Sequence, residues 1–320
     1  MKLLYLPTVF SQQRQFEKKV NVYPVRLAME AEFRRKEGHQ VYWGEDPNAH
    51  DYDLCIIKQE NLPFLKLPSP DRIFTRAFDK RYQSYGNYKH HPATHMQVAD
   101  GCWHGKCSFC VEQKRPYEVR GLATVTDEII ECIRLGFKEI FDDSGTFPVG
   151  KYLEDFCGLW KDNKAVVFGC NMRICSADFE SMKNAGFRMV LFGVESANQK
   201  TLDRLNKGVK SDDIVSTLTK AAKAGIDVHT AVMFGYPWES DEDEQNTLRL
   251  VHHLLKKGIA KTAQASIYRV SGQEVIDRGF CRKIYEVAYS PEFWVHQITD
   301  IKSFDDFKYL LRKVKAGLWR

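Results

Sequence analysis

From residue 92 onward, short apolar runs of strand length alternate with longer segments of helical pattern. Each run is almost entirely apolar, as expected for a parallel sheet that helices cover. This alternation predicts an α/β fold, a partial (βα)6 TIM-like barrel, in which functional residues follow the carboxyl ends of the strands. We predict six strands, at residues 96–99, 139–142, 166–171, 189–193, 227–235 and 264–270.

The predicted helices of this region carry start and stop signals. Acidic residues closely follow Thr126 and Ser176, and Ser196 and Ser240 have the spacing of a capping box. We therefore expect helices to begin at these four positions. Glycines suited to a left-handed C-terminal cap stand where the helices are expected to end; they are Gly136, Gly186, Gly225 and Gly258.

The length of the chain predicts more than one domain. Its 320 residues exceed the roughly 250–300 residues at which a single hydrophobic core stops growing. We predict a small, reduced Rossmann-like α/β domain with a linker over residues 1–90, the barrel over 91–272, and a helical extension that closes the barrel over 273–320.

The composition indicates the cellular compartment of the protein and the kinds of partner it can bind. The longest apolar runs are far shorter than the roughly 20 residues that span a bilayer, and the start of the chain lacks the pattern of a signal peptide. We therefore expect a cytoplasmic protein. The nine cysteines favour metal ligands or reactive thiols over a disulfide framework. A net charge of +5 permits a nucleic-acid partner without supporting one.

Three cysteines, Cys102, Cys107 and Cys110, follow the first predicted strand of the barrel with the spacing C-x4-C-x2-C. Three thiolates on one loop can bind three irons of a [4Fe–4S] cubane and leave the fourth iron open. Plant-type [2Fe–2S] ferredoxins share this spacing but need a distant fourth cysteine, and a zinc site also needs a fourth ligand. The long series of βα units favours the cubane. A non-enzymatic [2Fe–2S] electron carrier and a zinc-stabilised interaction protein stay as alternatives.

Polar or glycine-containing motifs also end the next four predicted strands. They are Asp142-Asp-Ser-Gly-Thr-Phe147, Arg173, Gly193-Val-Glu-Ser196 and Met233-Phe-Gly-Tyr-Pro-Trp-Glu239. In this order, and together with the three cysteines, the motifs resemble those of the radical S-adenosylmethionine (SAM) superfamily. The resemblance covers about residues 94–270. One departure is the first cysteine gap, which is a residue longer than the commonest family spacing, and Gly105 is expected to absorb it with a positive φ.

The resemblance implies a set of residues that bind SAM at the strand ends. Phe109 and Met233 would lie near the adenine, and Asp143 and Ser144 near the methionine amine. Arg173, Glu195 and Ser196 would lie near the carboxylate and ribose. We assign no catalytic residue. The family reaction implies a [4Fe–4S] cluster, reductive cleavage of SAM to a 5′-deoxyadenosyl radical, and an external reductant such as flavodoxin or ferredoxin. The sequence does not identify the substrate.

The first part of the chain resembles the cobalamin-binding-like domain that precedes the barrel in one branch of this superfamily. The Asp-x-His-x-x-Gly loop of that domain is missing after the first strand, where Thr8-Val-Phe-Ser-Gln12 stands instead. We therefore expect a degenerate domain without cofactor, and keep a cobalamin-dependent radical SAM methyltransferase as the alternative. Its elements are predicted as strands at 2–7, 40–43 and 52–58 and a helix at 24–36.

Overall fold

A computed structural model describes most of the chain, and all ten predicted site residues lie within the described ranges. The stretch Thr8–Gln12 and the ends of the strands predicted at 2–7, 52–58 and 264–270 lie outside them. The described residues are 1–5, 23–44, 52–56, 62–80, 82–84, 86–110, 113, 115–269 and 274–318. Within these residues, no helix is long and apolar enough to cross a membrane.

The amino-terminal part forms a three-stranded parallel sheet and a helix. Strand β1 (Lys2–Tyr5) lies between β2 (Gln40–Trp43) and β3 (Leu54–Ile56), and helix α1 (Val25–Lys36) packs near β2. Within the described residues, the order of these elements is the predicted one. Their buried side chains belong to the same apolar cluster as those of the larger sheet that follows.

The larger sheet is the predicted series of parallel strands. Strands β4 and β7 to β11 pair in chain order, so the sheet is a parallel, partial barrel, and the α/β fold is confirmed. Strands β5 and β6 form a separate antiparallel pair. The bounds are β4 (Ala93–Met96), β5 (Ala99–Asp100), β6 (Glu118–Val119), β7 (Glu139–Asp142), β8 (Val167–Arg173), β9 (Phe187–Glu195), β10 (Asp227–Phe234) and β11 (Thr262–Ile267).

Helices alternate with these strands and then form the carboxyl-terminal part. Helix α2 precedes β7, α3 to α7 separate the later strands, and α8 to α10 follow β11. The bounds are α2 (Leu122–Arg134), α3 (Lys151–Leu159), α4 (Phe179–Asn184), α5 (Gln199–Arg204), α6 (Ser211–Lys223), α7 (Asp241–Lys256), α8 (Phe280–Lys283), α9 (Pro291–Thr299) and α10 (Phe304–Leu318).

Some boundary signals are confirmed and others are wrong. The capping box at Ser240 is present, because its hydroxyl accepts from the Asp243 N–H while the Asp243 carboxylate accepts from the Ser240 N–H. The four glycines predicted at helix ends all have positive φ. Thr126, however, lies inside α2, whose N-cap is Gly121. The apolar face of α2 continues back to Leu122, so an acidic pair within the helix resembled its start.

Two further helix starts and the first strand of the barrel are displaced from their predicted positions. Asp178 caps α4 in place of Ser176, and Asn198 rather than Ser196 precedes α5. The strand predicted at 96–99 ends at Met96. Ala99 leaves the parallel sheet because it pairs with Val119 in the antiparallel strands that flank the cysteine loop.

A buried ion network closes the amino end of the sheet. Arg188 on β9 donates to Glu139 of β7 at 3.1 Å and to Asp227 of β10 at 3.0 Å. Tyr309 of α10 lies 5.7 Å from its guanidinium, and Arg312 of α10 donates to the Tyr88 carbonyl at 3.0 Å. Helix α10 therefore packs at this end of the sheet.

Candidate functional site

The three cysteines lie on the loop between the short strands β5 and β6, beyond the carboxyl end of β4. Cys107 is buried, Cys102 and Cys110 are half-buried, and none of them forms a disulfide. Gly101 enters the loop with a φ of +75°, and a Cβ there would lie 2.5 Å from the Pro116 carbonyl oxygen. Only glycine fits this close approach, so the loop begins with a fixed turn.

Ser144 and Asp142, at the end of β7, fix the backbone that leads into this loop. The Ser144 hydroxyl accepts from the N–H groups of Val98 and Ala99 at 3.1 and 2.8 Å and donates to Asp142 at 2.8 Å. Its one donor and two acceptor positions are therefore all used. Asp142 also accepts from the Val98 N–H at 2.8 Å, and burial raises its pKa to about 7.

The side chain of Asp143 is exposed, whereas those of Asp142 and Ser144 are buried. It lines a polar cavity of about 200 Å³ at the base of the cysteine loop, together with Arg26 of α1, Asp100 and Arg115. Asp100 accepts from Arg26 at 3.3 Å and from Arg115 at 2.9 Å. The amino-terminal part of the chain thus contacts the residues directly before Cys102.

The segment Leu205–Gly208, between α5 and α6, holds the cysteine loop from the other side. The Ser108 N–H donates to the Leu205 carbonyl at 3.0 Å, and the His104 ring Nε2 donates to the Asn206 carbonyl at 2.8 Å. The Arg173 guanidinium donates to the Lys207 carbonyl. Sequence reasoning missed this segment.

Arg173, at the end of β8, reaches the cysteine ligands directly. Its Nη1 donates to the Cys107 Sγ at 3.4 Å, and its guanidinium lies 5.2 Å from the Trp103 ring centre. The side chain is buried, yet its Nε has no hydrogen-bond partner within the described part of the chain. Among the same residues, no carboxylate pairs with it. Arg173 is therefore a buried cation without a carboxylate partner in the described part of the site.

Glu195 ends β9 with a φ of +66° and pairs with the buried ammonium of Lys207 at 2.7 Å. Gly193 makes room for this pair, because a Cβ there would lie 2.6 Å from the Glu195 Oε1 and 3.0 Å from the Lys207 Nζ. A positive φ at a non-glycine residue is uncommon. The Glu195 carboxylate is thus held close to its own strand by Lys207, a residue that the sequence did not predict to be part of the site.

Ser196 is fully buried and joins β9 to the turn after β10. Its hydroxyl donates to the Glu239 Oε1 at 2.9 Å, to which Thr201 also donates at 2.6 Å. The other oxygen of Glu239, Oε2, is buried and has no partner among the residues that the structure describes. Ser196 therefore positions a carboxylate that retains acceptor capacity.

Phe109 and Met233, predicted to lie near the adenine, share one apolar cluster. Its buried members are Leu205, Tyr236 and Tyr268, and Trp238 packs against it. The Tyr236 ring lies 4.8 Å from that of Tyr268, and burial raises the pKa of its hydroxyl well above 10. That hydroxyl lacks a hydrogen-bond partner within the described ranges. An aromatic surface with one unpaired polar atom suits a flat, nitrogen-rich ring.

The donor set at this end of the sheet suits an iron–sulfur cluster. The structure brings no three His, Cys, Asp or Glu side chains, among those it describes, together as one metal ion would need. A cubane asks for a wider arrangement, because each thiolate binds its own iron. The three thiols on one loop, the glycine at its start and the buried cation next to Cys107 fit such an anionic group.

Comparison with known families agrees with this geometry. The model of the radical SAM superfamily matches residues 96–251, which run from the end of β4 to α7 and include the three cysteines. The chain carries a domain of the radical SAM superfamily, whose members are enzymes that use a [4Fe–4S] cluster and SAM.

Several other proteins and solved structures resemble the chain in part. An uncharacterized protein of Methanocaldococcus jannaschii is 27% identical over 49% of this chain and 55% of its own. The threonylcarbamoyladenosine tRNA methylthiotransferase MtaB of Thermotoga maritima is 25% identical over 52% of this chain and 42% of its own. The chain thus spans about half the length of these relatives.

Among solved structures, the radical SAM methyltransferase TsrM of Kitasatospora setae, with cobalamin and a [4Fe–4S] cluster bound, has a similar fold. Its TM-score is 0.51 at 18% identity, and the match covers 67% of this chain and 38% of that one. At this identity the likeness concerns the fold alone.

Proposed function

We propose that this protein is a radical SAM enzyme in which Cys102, Cys107 and Cys110 hold a [4Fe–4S] cluster. The observation that carries the proposal is the contact between Cys107, one of three thiols on a single loop, and a buried arginine that has no carboxylate partner among the described residues. A buried cation without an anion is costly. A cluster with three thiolate ligands and the carboxylate of SAM are both anions that would offset this cost.

The chain's own residues would bind and orient SAM around that cluster. Phe109 and Met233 offer an apolar surface for the adenine, next to the Tyr236 hydroxyl, which has no hydrogen-bond partner in the described structure. The Nε of Arg173, which none of the described residues accepts from, is a donor for the SAM carboxylate. Glu195, held by Lys207, is an acceptor for the ribose hydroxyls.

Asp143, Ser144 and Ser196 complete the proposed set in different ways. Asp143 is exposed at the polar cavity and is a candidate partner for the amino group of SAM. Ser144 and Ser196 have their hydroxyl groups engaged within the protein, so their proposed part is to hold the cysteine loop and Glu239 in place.

A cluster held by these three cysteines would supply the electron for reductive cleavage of SAM to methionine and a 5′-deoxyadenosyl radical, and this radical would take a hydrogen atom from the substrate. The electron comes from an external one-electron reductant, for which flavodoxin or ferredoxin in the cytoplasm is our proposal. Phe109 packs against the apolar cluster that contains Leu205, and this packing would limit the access of water to this chemistry. The substrate is not identified.

The test is anaerobic reconstitution with iron and sulfide, followed by reduction with dithionite in the presence of SAM. We expect close to four irons per chain and formation of 5′-deoxyadenosine, measured by chromatography. The Cys107→Ala variant should lose both, because two thiolates do not hold the cubane. Cys281→Ala is the matched control: it removes a half-buried thiol of α8, away from the loop, and should keep both.

Other outcomes would identify the alternatives. Two irons per chain without SAM cleavage would support an electron carrier, and a colourless protein with zinc would support an interaction module. A corrinoid absorbance after incubation with cobalamin would support a cobalamin-dependent methyltransferase. Four irons without 5′-deoxyadenosine, with or without a panel of substrates, would contradict the proposed reaction.

A further inference from the structure

The contacts of Arg173 bear on the proposed cluster as well as on SAM. Its two terminal nitrogens are both committed within the protein: Nη1 donates to the Cys107 sulfur at 3.4 Å, and Nη2 donates to the Lys207 carbonyl. The face of the guanidinium lies against Trp103. The nitrogen nearest to the sulfur is thus fixed from two sides, and only Nε is left for another ligand.

This arrangement differs from a simple contact with SAM. A guanidinium that served only the SAM carboxylate would present both terminal nitrogens to it, as bidentate arginines do. Here one terminal nitrogen is aimed at a proposed iron ligand. The side chain is only 6% exposed, so its charge is poorly screened by water.

Hydrogen bonds to the sulfur ligands and nearby positive charge set the reduction potential of an iron–sulfur cluster. On reduction the cluster gains one electron, and the added negative charge spreads onto its thiolates. A donor held at one thiolate stabilises this reduced form more than the oxidised form. The reduction potential then becomes less negative.

We propose that Arg173 is a positioning residue for the cluster, which raises its reduction potential through the hydrogen bond to Cys107 and so eases electron transfer from the external reductant. The inference rests on the proposed function, since it needs a cluster at Cys102, Cys107 and Cys110. It adds to that function a residue that controls how readily the cluster is reduced, independently of SAM.

The test is a mediated redox titration of the reconstituted protein without SAM, followed by electron paramagnetic resonance, with iron content measured on the same samples. In Arg173→Gln, we expect the midpoint potential to become more negative by about 59 mV, which is a tenfold change in the ratio of reduced to oxidised cluster. Arg173→Lys keeps the charge but not the fixed geometry, and should give a smaller shift in the same direction.

Lys106→Gln is the matched control, because it removes a positive charge from the residue directly before Cys107. The Lys106 side chain is exposed, so water screens it, and no hydrogen bond to a cysteine is formed by it in the described structure. We expect a shift of less than about 18 mV, a twofold change in the same ratio. An equal shift in Lys106→Gln and Arg173→Gln would contradict the proposal, because general charge would then explain both.

The possible outcomes separate this inference from the proposed function. If the wild-type protein binds no four-iron cluster, the proposed function fails and this inference with it. If the wild-type cluster forms and cleaves SAM but the Arg173 variants keep its potential, only the inference is overturned. Variants with less iron, whose loaded fraction keeps the wild-type potential, would show a purely structural role and would also overturn it.

Discussion

Each end of the six-stranded sheet buries an arginine, and the two arginines differ in their hydrogen-bond and ion-pair partners. At the amino end, all three nitrogens of Arg188 have partners, which include Glu139, Asp227 and the Asn87 carbonyl at 2.7 Å. At the carboxyl end, Arg173 is equally buried, at 6% exposure, but its partners among the described residues are a thiol and a carbonyl, and its Nε has none there. The same residue type serves stability where the protein supplies its counter-charge and, in our proposal, ligand binding where the described residues supply none.

The largest effect is expected from removing the arginine whose partners are complete. Arg188→Met leaves Glu139 buried without a cation, and should lower the free energy of unfolding by about 3–5 kcal/mol. Urea denaturation of the apo-protein measures it. Arg249→Met, which removes an exposed arginine paired with Glu242 on α7, should cost less than about 1 kcal/mol. A loss below 1 kcal/mol for Arg188→Met would mean that the amino end is not held by this network.

The next effect concerns Asp142, a fully buried carboxyl group at the carboxyl end without a cation partner among the described residues. Burial raises its pKa to about 7 in the folded state from 3.8 in the unfolded chain. The folded state therefore binds this proton more tightly, and the resulting stability is complete below pH 4 and is lost as the pH rises to 7. The loss should be at most about 4 kcal/mol.

The comparison of Asp142→Asn with the wild type measures this loss. The difference between their free energies of unfolding should change from pH 4 to pH 7 and stay constant above pH 7. Parallel stability curves over the whole range would contradict the raised pKa of Asp142, because the carboxyl group would then titrate alike in the folded and unfolded states.

Two glycines of the cysteine loop should differ in how much a methyl group disturbs them. Both have positive φ, which costs an alanine roughly 1–2 kcal/mol. At Gly101 the new Cβ would also lie 2.5 Å from a carbonyl oxygen, whereas at Gly105 the nearest contact is 3.3 Å. Gly101→Ala should therefore lower the iron content of the reconstituted protein more than Gly105→Ala. The reverse order would mean that Gly105 controls the longer first cysteine gap.

The smallest effect on stability is expected at Arg173. Arg173→Met should change the free energy of unfolding of the apo-protein by less than about 1 kcal/mol, because the lost hydrogen bonds are offset by removal of an unpaired buried charge. Urea denaturation next to Arg188→Met gives the direct contrast. A loss as large as that of Arg188→Met would remove the distinction between the two ends of the sheet.

The sequence predicted the fold better than the site. The apolar runs placed the parallel strands to within a few residues, and the capping signal placed the start of α7 at Ser240. Both signals lie in the side chains themselves. The antiparallel pair around the cysteine loop was missed, because two-residue strands such as Ala99–Asp100 are too short to show a period. The helix start predicted at Thr126 was wrong, because a hydroxyl residue followed by acidic residues gives the same sequence pattern at the start of a helix and inside one.

The predicted site residues stay proposals, although the structure brings Phe109 near Met233, and Arg173 near Cys107. The roles of Lys207 and Tyr268 were not predicted. Lys207 acts through a salt bridge to Glu195, twelve positions away, and Tyr268 follows the sixth strand, where no motif was recognised. Long-range pairing of this kind leaves no local pattern in one sequence.

Two hydrogen bonds from the cysteine loop end on the carbonyl groups of Leu205 and Asn206, and the next carbonyl, that of Lys207, accepts from Arg173. Every amino acid has a backbone carbonyl, so these contacts survive most changes of residue type. They depend instead on the path of the chain, which Asn206 and Gly208 bend through positive φ. These backbone hydrogen bonds thus depend on the length of the segment rather than on its side chains, although Leu205 and Lys207 have buried side chains with contacts of their own. A one-residue deletion there should disconnect the loop.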